Sequence, residues 1–213
     1  SIVSYTGTGS NGTVKHGLNS VPKMFIVKEL SNANSWEVYH VSQGAGKNAQ
    51  LNTTAAFESA GSSRWNSTAP TSSVFSIGTD SGVNRSSSNF ITYCFAEKQG
   101  YLKTGKWIGN GNNDGPFSFC GFKPAFIMIK RTDVAKNWYI NDNLRLGYNV
   151  NNPYISPNIT AAETGGTEID ILSNGFKIRA SGTGHNQSGG TYIYMAIAEN
   201  PFVTSTGVPA TAR

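Results

Sequence analysis

The stretches Met24-Phe-Ile-Val-Lys-Glu-Leu30 and Phe126-Ile-Met-Ile-Lys130 decide the fold, and a proline stands two residues before each of them. Short apolar runs with β-branched and aromatic residues are typical of buried strands. Around these runs, Gly, Ser, Asn and Thr make up 89 of the 213 residues. Because these residue types favour turns and disfavour helix interiors, the composition predicts an all-β protein and excludes a mainly helical one.

Similar segments continue along the chain. The sequence contains 11 Phe, 9 Tyr and 4 Trp, which is enough aromatic surface to fill a core, so the composition also excludes a disordered chain. The further predicted strands are Trp36 to Val41, Val74 to Ile77, Phe90 to Ala96, Trp138 to Asn141, Glu168 to Leu172, Phe176 to Arg179 and Tyr192 to Ala198.

An internal repeat appears when the sequence is shifted by 102 residues. Chance seldom aligns Trp, Pro and Gly at a single shift, so we predict an internal duplication. The two units comprise residues 1–100 and 101–202, and residues 203–213 form a C-terminal tail. The pairs that coincide include Gly7 with Gly109, Gly9 with Gly111, Pro22 with Pro124, Lys28 with Lys130, Trp36 with Trp138, Asn84 with Asn186 and Glu97 with Glu199.

This pattern predicts an antiparallel β-sandwich built from two internally duplicated units of about 100 residues. Two packed sheets and two small sandwiches side by side both satisfy it. Long segments rich in Ser, Thr, Asn and Gly occupy residues 42–73 and 142–167. Loops of that length in a compact domain tend to be functional, so we expect binding residues there.

Charge and cysteine content narrow the functional classes. The net charge is +5, but the basic residues stand singly, which argues against nucleic-acid binding and leaves anionic partners such as acidic glycans favoured. No apolar run approaches 18 residues, so we expect no membrane insertion. Cys94 and Cys120 either form a disulfide or are two buried thiols. The chain begins at Ser1 without Met, which we interpret as a piece of a longer protein.

Two short motifs do not indicate the sites that they resemble. Gly7-Thr-Gly-Ser-Asn-Gly12 has the spacing of a dinucleotide loop, but the residues after it do not favour the helix that such a loop needs. Asn110-Gly-Asn-Asn-Asp-Gly115 resembles the start of a calcium loop, but Gly121 stands where a bidentate Glu is required. We therefore interpret both as turns, and we expect no metal and no cofactor.

Catalysis has little support in the sequence. The candidate acids are in separate segments, there is no Gly-x-Ser-x-Gly elbow, and His16, His40 and His185 lack metal-ligand spacing. We therefore expect a protein that is not an enzyme, with no catalytic residue. The carboxylates considered are Asp142, Glu163, Glu168 and Asp170.

The repeat separates residues that serve the scaffold from candidates for binding. Charges found in both units, Lys28/Lys130 and Glu97/Glu199, are expected to pair with each other near strand ends, and Trp36/Trp138 are expected to pack in the core. Residues found in one unit only are the candidates for ligand binding, because aromatic rings stack on sugars and Arg or Asp can bind hydroxyl groups. These candidates are His40, Arg64, Trp65, Arg85, Asp142, Arg145, Tyr148 and Tyr154.

Several stretches together resemble a known family. They are Tyr5-Thr-Gly-Thr-Gly9, Val21-Pro-Lys-Met-Phe-Ile-Val-Lys28, Tyr93-Cys-Phe-Ala-Glu97, Ile129-Lys-Arg-Thr-Asp133 and Gly189-Gly-Thr-Tyr-Ile-Tyr-Met-Ala196. The chain resembles, over about residues 3 to 202, a duplicated domain of unknown function that is common in tail-fibre proteins of marine bacteriophages. The resemblance implies a virion location and host attachment, and it supplies no catalytic residue. The chain departs from the family pattern at Leu144, where a small residue is usual.

We therefore expect a receptor-binding module of a phage tail fibre, extracellular on the virion, that binds a host surface glycan or lipopolysaccharide through residues 42–73 and 142–167. Because fibres are usually trimers, a homotrimer with an apolar subunit contact is expected. The alternatives are a fibre-trimerising or virion decoration domain without a receptor site, and a carbohydrate-active enzyme or its sugar-binding accessory domain.

Overall fold

The computed structural model describes residues 1–145, 149 and 153–201. The prediction of an all-β fold with antiparallel sheets is confirmed, since every described strand pair is antiparallel. Within the described residues the one helix is the single turn α1, Ser81–Asn84, which Asp80 caps by accepting a hydrogen bond from the backbone N of Gly82 at 2.7 Å. In that part of the chain, no helix has the length and hydrophobicity needed to cross a membrane.

The chain divides into two compact units, Ser1–Ala96 and Glu97–Arg213, close to the predicted boundary at residue 100. The predicted tail, 203–213, lies outside the described residues. The strands of unit 1 are β1 (Ile2–Thr6), β2 (Gly12–Lys15), β3 (Pro22–Glu29), β4 (Trp36–His40), β5 (Lys47–Gln50), β6 (Glu58–Ser59), β7 (Val74–Ile77) and β8 (Asn89–Ala96). Those of unit 2 are β9 (Leu102–Ile108), β10 (Phe117–Phe119), β11 (Pro124–Arg131), β12 (Trp138–Asp142), β13 (Tyr154–Ile155), β14 (Ile169–Leu172), β15 (Gly175–Ile178) and β16 (Thr191–Ala198).

Each unit has a large sheet and a smaller one that contribute residues to a common core cluster. In unit 1 the large sheet has the order β1-β8-β3-β4-β5-β6, and β2 and β7 form a two-stranded ribbon. Phe25 of β3 and Phe75 of β7 belong to the same core cluster, with ring centroids 4.8 Å apart. In unit 2 the order is β13-β12-β11-β16-β9, beside a three-stranded sheet β10-β15-β14. Its core joins residues of both sheets, such as Ile127 and Phe176.

The two units share their central strand order and register. The order β1-β8-β3-β4 of unit 1 corresponds to β9-β16-β11-β12 of unit 2. Pro22 lies opposite Ala96, Pro124 lies opposite Ala198, and a bulge follows the proline in both strands. Both pairs are related by the offset of 102 found in the sequence. This correspondence is what an internal duplication would produce.

Two buried asparagines, Asn84 and Asn186, hold the glycine-rich turns. In unit 1 the Asn84 Oδ1 accepts a hydrogen bond from the backbone N of Thr8 at 2.8 Å, and its Nδ2 donates to the backbone O of Ser10 at 2.6 Å. Asn186 makes the two corresponding hydrogen bonds in unit 2, at 2.9 and 2.7 Å. The motif at residues 7–12 is thus a turn fixed by an amide.

Lys28 and Lys130 also have equivalent tasks. The ammonium group of Lys28 donates to the backbone O of Asn34 at 2.9 Å, and that of Lys130 donates to the backbone O of Lys136, so each lysine fixes the loop after its strand. The predicted pairing of Lys28 with Glu97 is wrong. Lys28 lies opposite Ile91, at the far end of β3 from Pro22 and Ala96, so the lysine and Glu97 are at opposite ends of the strand pair.

The carboxylates at the other ends of these strands have different partners. Glu97 lies 3.2 Å from the Nζ of Lys103, and Glu199 lies 3.0 Å from the Nζ of Lys123.

The two cysteines, Cys94 and Cys120, are buried and free. The second of the two alternatives left open for them therefore holds.

Candidate ligand-binding site

Backbone pairing brings predicted residues of unit 2 together at one edge of its five-stranded sheet. Asp142 is the last residue of β12, and its neighbour Asn141 lies opposite Tyr154 of β13. Tyr154 in turn exchanges backbone hydrogen bonds with Thr164, at 2.9 and 3.0 Å. Because Glu163 precedes Thr164, Asp142, Tyr154 and Glu163 lie along one edge of the sheet. The Tyr154 side chain is on the same face as that of Asn141, and the Asp142 side chain is on the opposite face.

An ion cluster fills this region. The Arg145 Nε lies 2.7 Å from the Asp142 Oδ2, and the Arg145 Nη1 hydrogen-bonds the carboxylate of Glu163. The other carboxylate oxygen of Asp142 accepts hydrogen bonds from the backbone N atoms of Leu144 and Arg145, at 3.1 and 3.0 Å. The side chains of Arg145 and Glu163 are 25% and 42% exposed, so solvent reaches the cluster. We call Asp142, Arg145 and Glu163 the Arg145 site.

The Arg145 site has the chemistry to bind hydroxyl groups. A carboxylate accepts hydrogen bonds from hydroxyls, and a guanidinium donates to their oxygens. Two carboxylates around one guanidinium leave a formal charge of −1, which favours a neutral, hydroxyl-rich ligand over an anion. Tyr154 lies on the other face of the sheet, where it packs against the core of unit 2. Leu144, between Asp142 and Arg145 in the sequence, is 92% exposed.

A second group of side chains includes Tyr154. We call it the His185 cluster, and it consists of Tyr139, Tyr154, Glu168 and His185. The rings of Tyr139 and Tyr154 meet edge to face at 5.2 Å between centroids, and the His185 ring lies 4.4 Å from that of Tyr139. The Nδ1 of His185 is 3.4 Å from the Glu168 Oε2. The His185 Nε2 is buried without a hydrogen-bond partner among the described residues.

Burial controls ionisation in the His185 cluster. Desolvation lowers the pKa of His185 from 6.5 to about 4 and raises the pKa of Tyr139 to about 12. It also raises the pKa of Glu168 above its usual value. At neutral pH the imidazole is therefore uncharged, and its contact with Glu168 is not an ion pair.

Acid should destabilise the folded chain through His185. The unfolded imidazole takes up a proton near pH 6.5 and the folded one only near pH 4, so stability is lost as the pH falls between these values, by up to roughly 3 kcal/mol. Glu168, the carboxylate that faces it, has a raised pKa and acts in the opposite direction. His185→Phe should flatten this decline in urea unfolding at pH 7, 5.5 and 4. An equal decline in both proteins would contradict the assignment.

Unit 1 has a different polar group at the corresponding place. Glu37 and Gly82 occupy the positions of Tyr139 and Gly184 at the offset of 102, and in both units the first side chain lies against the glycine. The Arg64 Nε is 3.3 Å from the Glu37 Oε2, and the Arg64 Nη1 pairs with Asp80. Arg64 is therefore engaged by two carboxylates, and its side chain is 15% exposed.

Comparison with protein families adds one finding. A family model described as a domain of unknown function, DUF7483, matches residues 1–201. The chain belongs to this family. No curated protein and no solved structure matches it. Because one family model covers both units, the DUF7483 domain comprises the pair.

Other candidates in the DUF7483 domain lie in or near the core of unit 1. Trp65 is fully buried, and its Nε1 donates to the backbone O of Lys47 at 3.1 Å. His40 is also fully buried, and its Nδ1 accepts from the backbone N of Ser42. Burial argues against contact between these two side chains and an external ligand.

Of the remaining candidates, Arg85 has a half-exposed side chain whose Nε is 3.1 Å from the buried carboxylate of Glu29. Tyr148 lies outside the described residues. The structure thus places Asp142, Arg145 and Tyr154 at one sheet edge of unit 2. The other described candidates belong to unit 1.

Sequence comparison of the two units missed the His185 cluster. His185 corresponds to Val83 at the offset of 102, and Tyr139 corresponds to Glu37, so both residues occur in one unit only. The criterion that selected Arg145, occurrence in one unit only, also applies to them.

Of the carboxylates considered, Asp142 and Glu163 meet at Arg145, whereas Asp170 pairs with Arg179 at 3.2 Å. Among the described residues, no group of three or more His, Cys, Asp or Glu side chains is arranged to hold a metal ion.

Proposed function

We propose that this DUF7483 domain is a module of a bacteriophage tail fibre that attaches the virion to the host cell surface by binding a surface glycan at the Arg145 site. The resemblance of the sequence to tail-fibre domains supports the virion location. The observation on which the binding proposal rests is the solvent-accessible Asp142–Arg145–Glu163 cluster.

The geometry of the Arg145 site favours such binding because its groups are fixed before a ligand arrives. Backbone N–H groups orient Asp142, and the β12–β13 pairing together with the Tyr154–Thr164 bridge fixes the edge on which the other groups lie. Preorganised groups lose little conformational entropy on binding. An accessible surface site of this kind is weak alone, and a homotrimer that presents several copies on one virion would raise the overall affinity through effective concentration.

The proposal is tested by measuring binding of the purified chain to host cells and to a glycan array. We expect Arg145→Ala to weaken binding at least about tenfold, since hydrogen bonds to charged groups contribute about 1.5–3 kcal/mol. Lys177→Ala is the control, because Lys177 also forms an exposed ion pair in unit 2, 2.7 Å from Asp114, on β15 of the other sheet.

Three outcomes would overturn parts of the proposal. Unchanged binding by Arg145→Ala would exclude the Arg145 site. Absence of binding by the unmodified chain to any host surface saccharide would favour a structural or decoration module. Release of sugar from host capsule or lipopolysaccharide would favour a carbohydrate-active enzyme.

A further inference from the structure

Unit 2 contains a cleft of about 580 Å³ that is separate in sequence from the Arg145 site. One wall is the turn between Lys98 and Leu102, which precedes β9, and the other is the turn after β10, from Phe119 to Gly121. We call it the Phe119 cleft. Neither wall contains a residue of the Arg145 site or of the His185 cluster.

Backbone hydrogen bonds hold both walls, and the floor is apolar. Lys98 and Leu102 exchange backbone hydrogen bonds at 3.2 and 3.0 Å, and the backbone N atoms of Cys120 and Gly121 both donate to Asn174 O, at 2.9 and 3.1 Å. The lining residues Leu102 and Cys120 are 3% and 7% exposed. Burial raises the pKa of the Cys120 thiol to about 12, so it is neutral at physiological pH.

Phe119 gives the cleft an aromatic surface. Its side chain is 62% exposed at the end of β10. Its ring lies beside the backbone of Gly121, since a Cβ atom placed there would be 3.7 Å from two ring atoms. The corresponding position in unit 1 is Gly17, so the ring occurs in unit 2 only.

The polar groups of the cleft leave a positive charge available. Glu97 accepts hydrogen bonds from the backbone N and the hydroxyl of Thr104, both at 2.9 Å, and from Lys103 at 3.2 Å. Burial opposes ionisation of Glu97, but these hydrogen bonds outweigh it and lower its pKa. Lys98 and Gln99 are exposed, and within the described ranges no carboxylate pairs with Lys98. The formal charge of the lining is +1.

We propose that the Phe119 cleft is a second saccharide site, which binds a sugar unit that bears an anionic group, a carboxylate or a sulfate. The sugar ring packs on the face of Phe119, the anionic group pairs with Lys98, and Gln99 hydrogen-bonds a hydroxyl. The inference rests on the proposed function only in taking a glycan as the ligand. The lining of the Phe119 cleft is positively charged and the Arg145 site is negatively charged, so the two sites select different sugars.

The test is a calorimetric titration of the full chain with three probes. They are an oligogalacturonate, a sulfated galactose oligosaccharide and a neutral galactose oligosaccharide. We expect at least one anionic probe to bind about tenfold or more tightly than the neutral one, and to bind more weakly at high salt. Phe119→Ala should reduce that affinity about fivefold to tenfold, and Lys98→Gln should reduce its salt dependence.

The control is Phe117→Ala, since Phe117 is 45% exposed on the same strand and does not line the cleft. The proposal is overturned if neither anionic probe binds, if Phe119→Ala binds as the unmodified chain does, or if Phe117→Ala loses as much affinity. Arg145→Ala should leave binding of the anionic probe unchanged, and loss in that variant would assign the probe to the Arg145 site. If only the Arg145 site failed to bind a glycan, the expected binding of the anionic probe at the Phe119 cleft would be unaffected.

Discussion

The Gly109→Ala variant should lose more than about 3 kcal/mol of stability, enough to unfold much of a marginally stable domain. A Cβ atom at Gly109 would lie 2.1 Å from the backbone O of Gln187. Neither partner can move freely, because Gly109 N donates to Gly190 O at 2.8 Å and Gly189 N donates to Gly109 O at 2.9 Å. Relief of the overlap therefore costs hydrogen bonds as well as strain.

Urea unfolding followed by tryptophan fluorescence would measure this effect. The matched control is Gly182→Ala in the same unit, where an added Cβ would meet nothing within 4 Å. We expect the control to change stability by less than about 0.5 kcal/mol. A Gly109→Ala midpoint equal to that of the control would show that the turn can shift and would contradict the prediction.

Trp65→Ala should have a comparable effect, a loss of about 3–5 kcal/mol. The Trp65 ring is fully buried, meets the Phe25 ring edge to face at 4.9 Å between centroids, and donates to the backbone O of Lys47. The substitution therefore opens a cavity and leaves a carbonyl group without its donor. Thermal unfolding would measure the loss, and Trp65→Phe should recover part of it.

Trp36→Ala is the control for this prediction, because Trp36 is only partly buried and is not a member of the core cluster of unit 1. We expect it to cost less than half as much. If Trp65→Ala kept full stability and lost glycan binding, Trp65 would be a ligand-binding residue, as the sequence pattern suggests, and its packing role would be minor.

The long strands could be predicted from the sequence because their apolar character is local. The predicted segment Val74 to Ile77 coincides with β7, and the run from Met24 to Leu30 overlaps β3 up to Glu29. Strand β9 was not predicted, because Lys103-Thr-Gly-Lys106 interrupts it with polar residues and glycine. The structure explains Gly105: a Cβ atom there would lie 2.5 Å from the ring of Tyr194 on the neighbouring strand β16. Such a constraint depends on a partner distant in sequence.

The binding candidates were predicted less well for a related reason. Differences between the units do mark Asp142, Arg145 and Tyr154, which the fold brings together. They also mark Trp65 and Arg64, whose side chains serve the interior of unit 1. The two units share a central strand order but have different core residues as well as different surface residues, so a residue found in one unit only is not by itself a surface residue.

The bulge that follows Pro22 and Pro124 has a consequence for engineering. Both large sheets interrupt their hydrogen-bonding ladder at the same position. A segment that is excised between β12 and β16 and inserted between β4 and β8 would therefore join strands that have the same register. Hybrid chains assembled in this way would carry the connecting segments of one unit on the large sheet of the other.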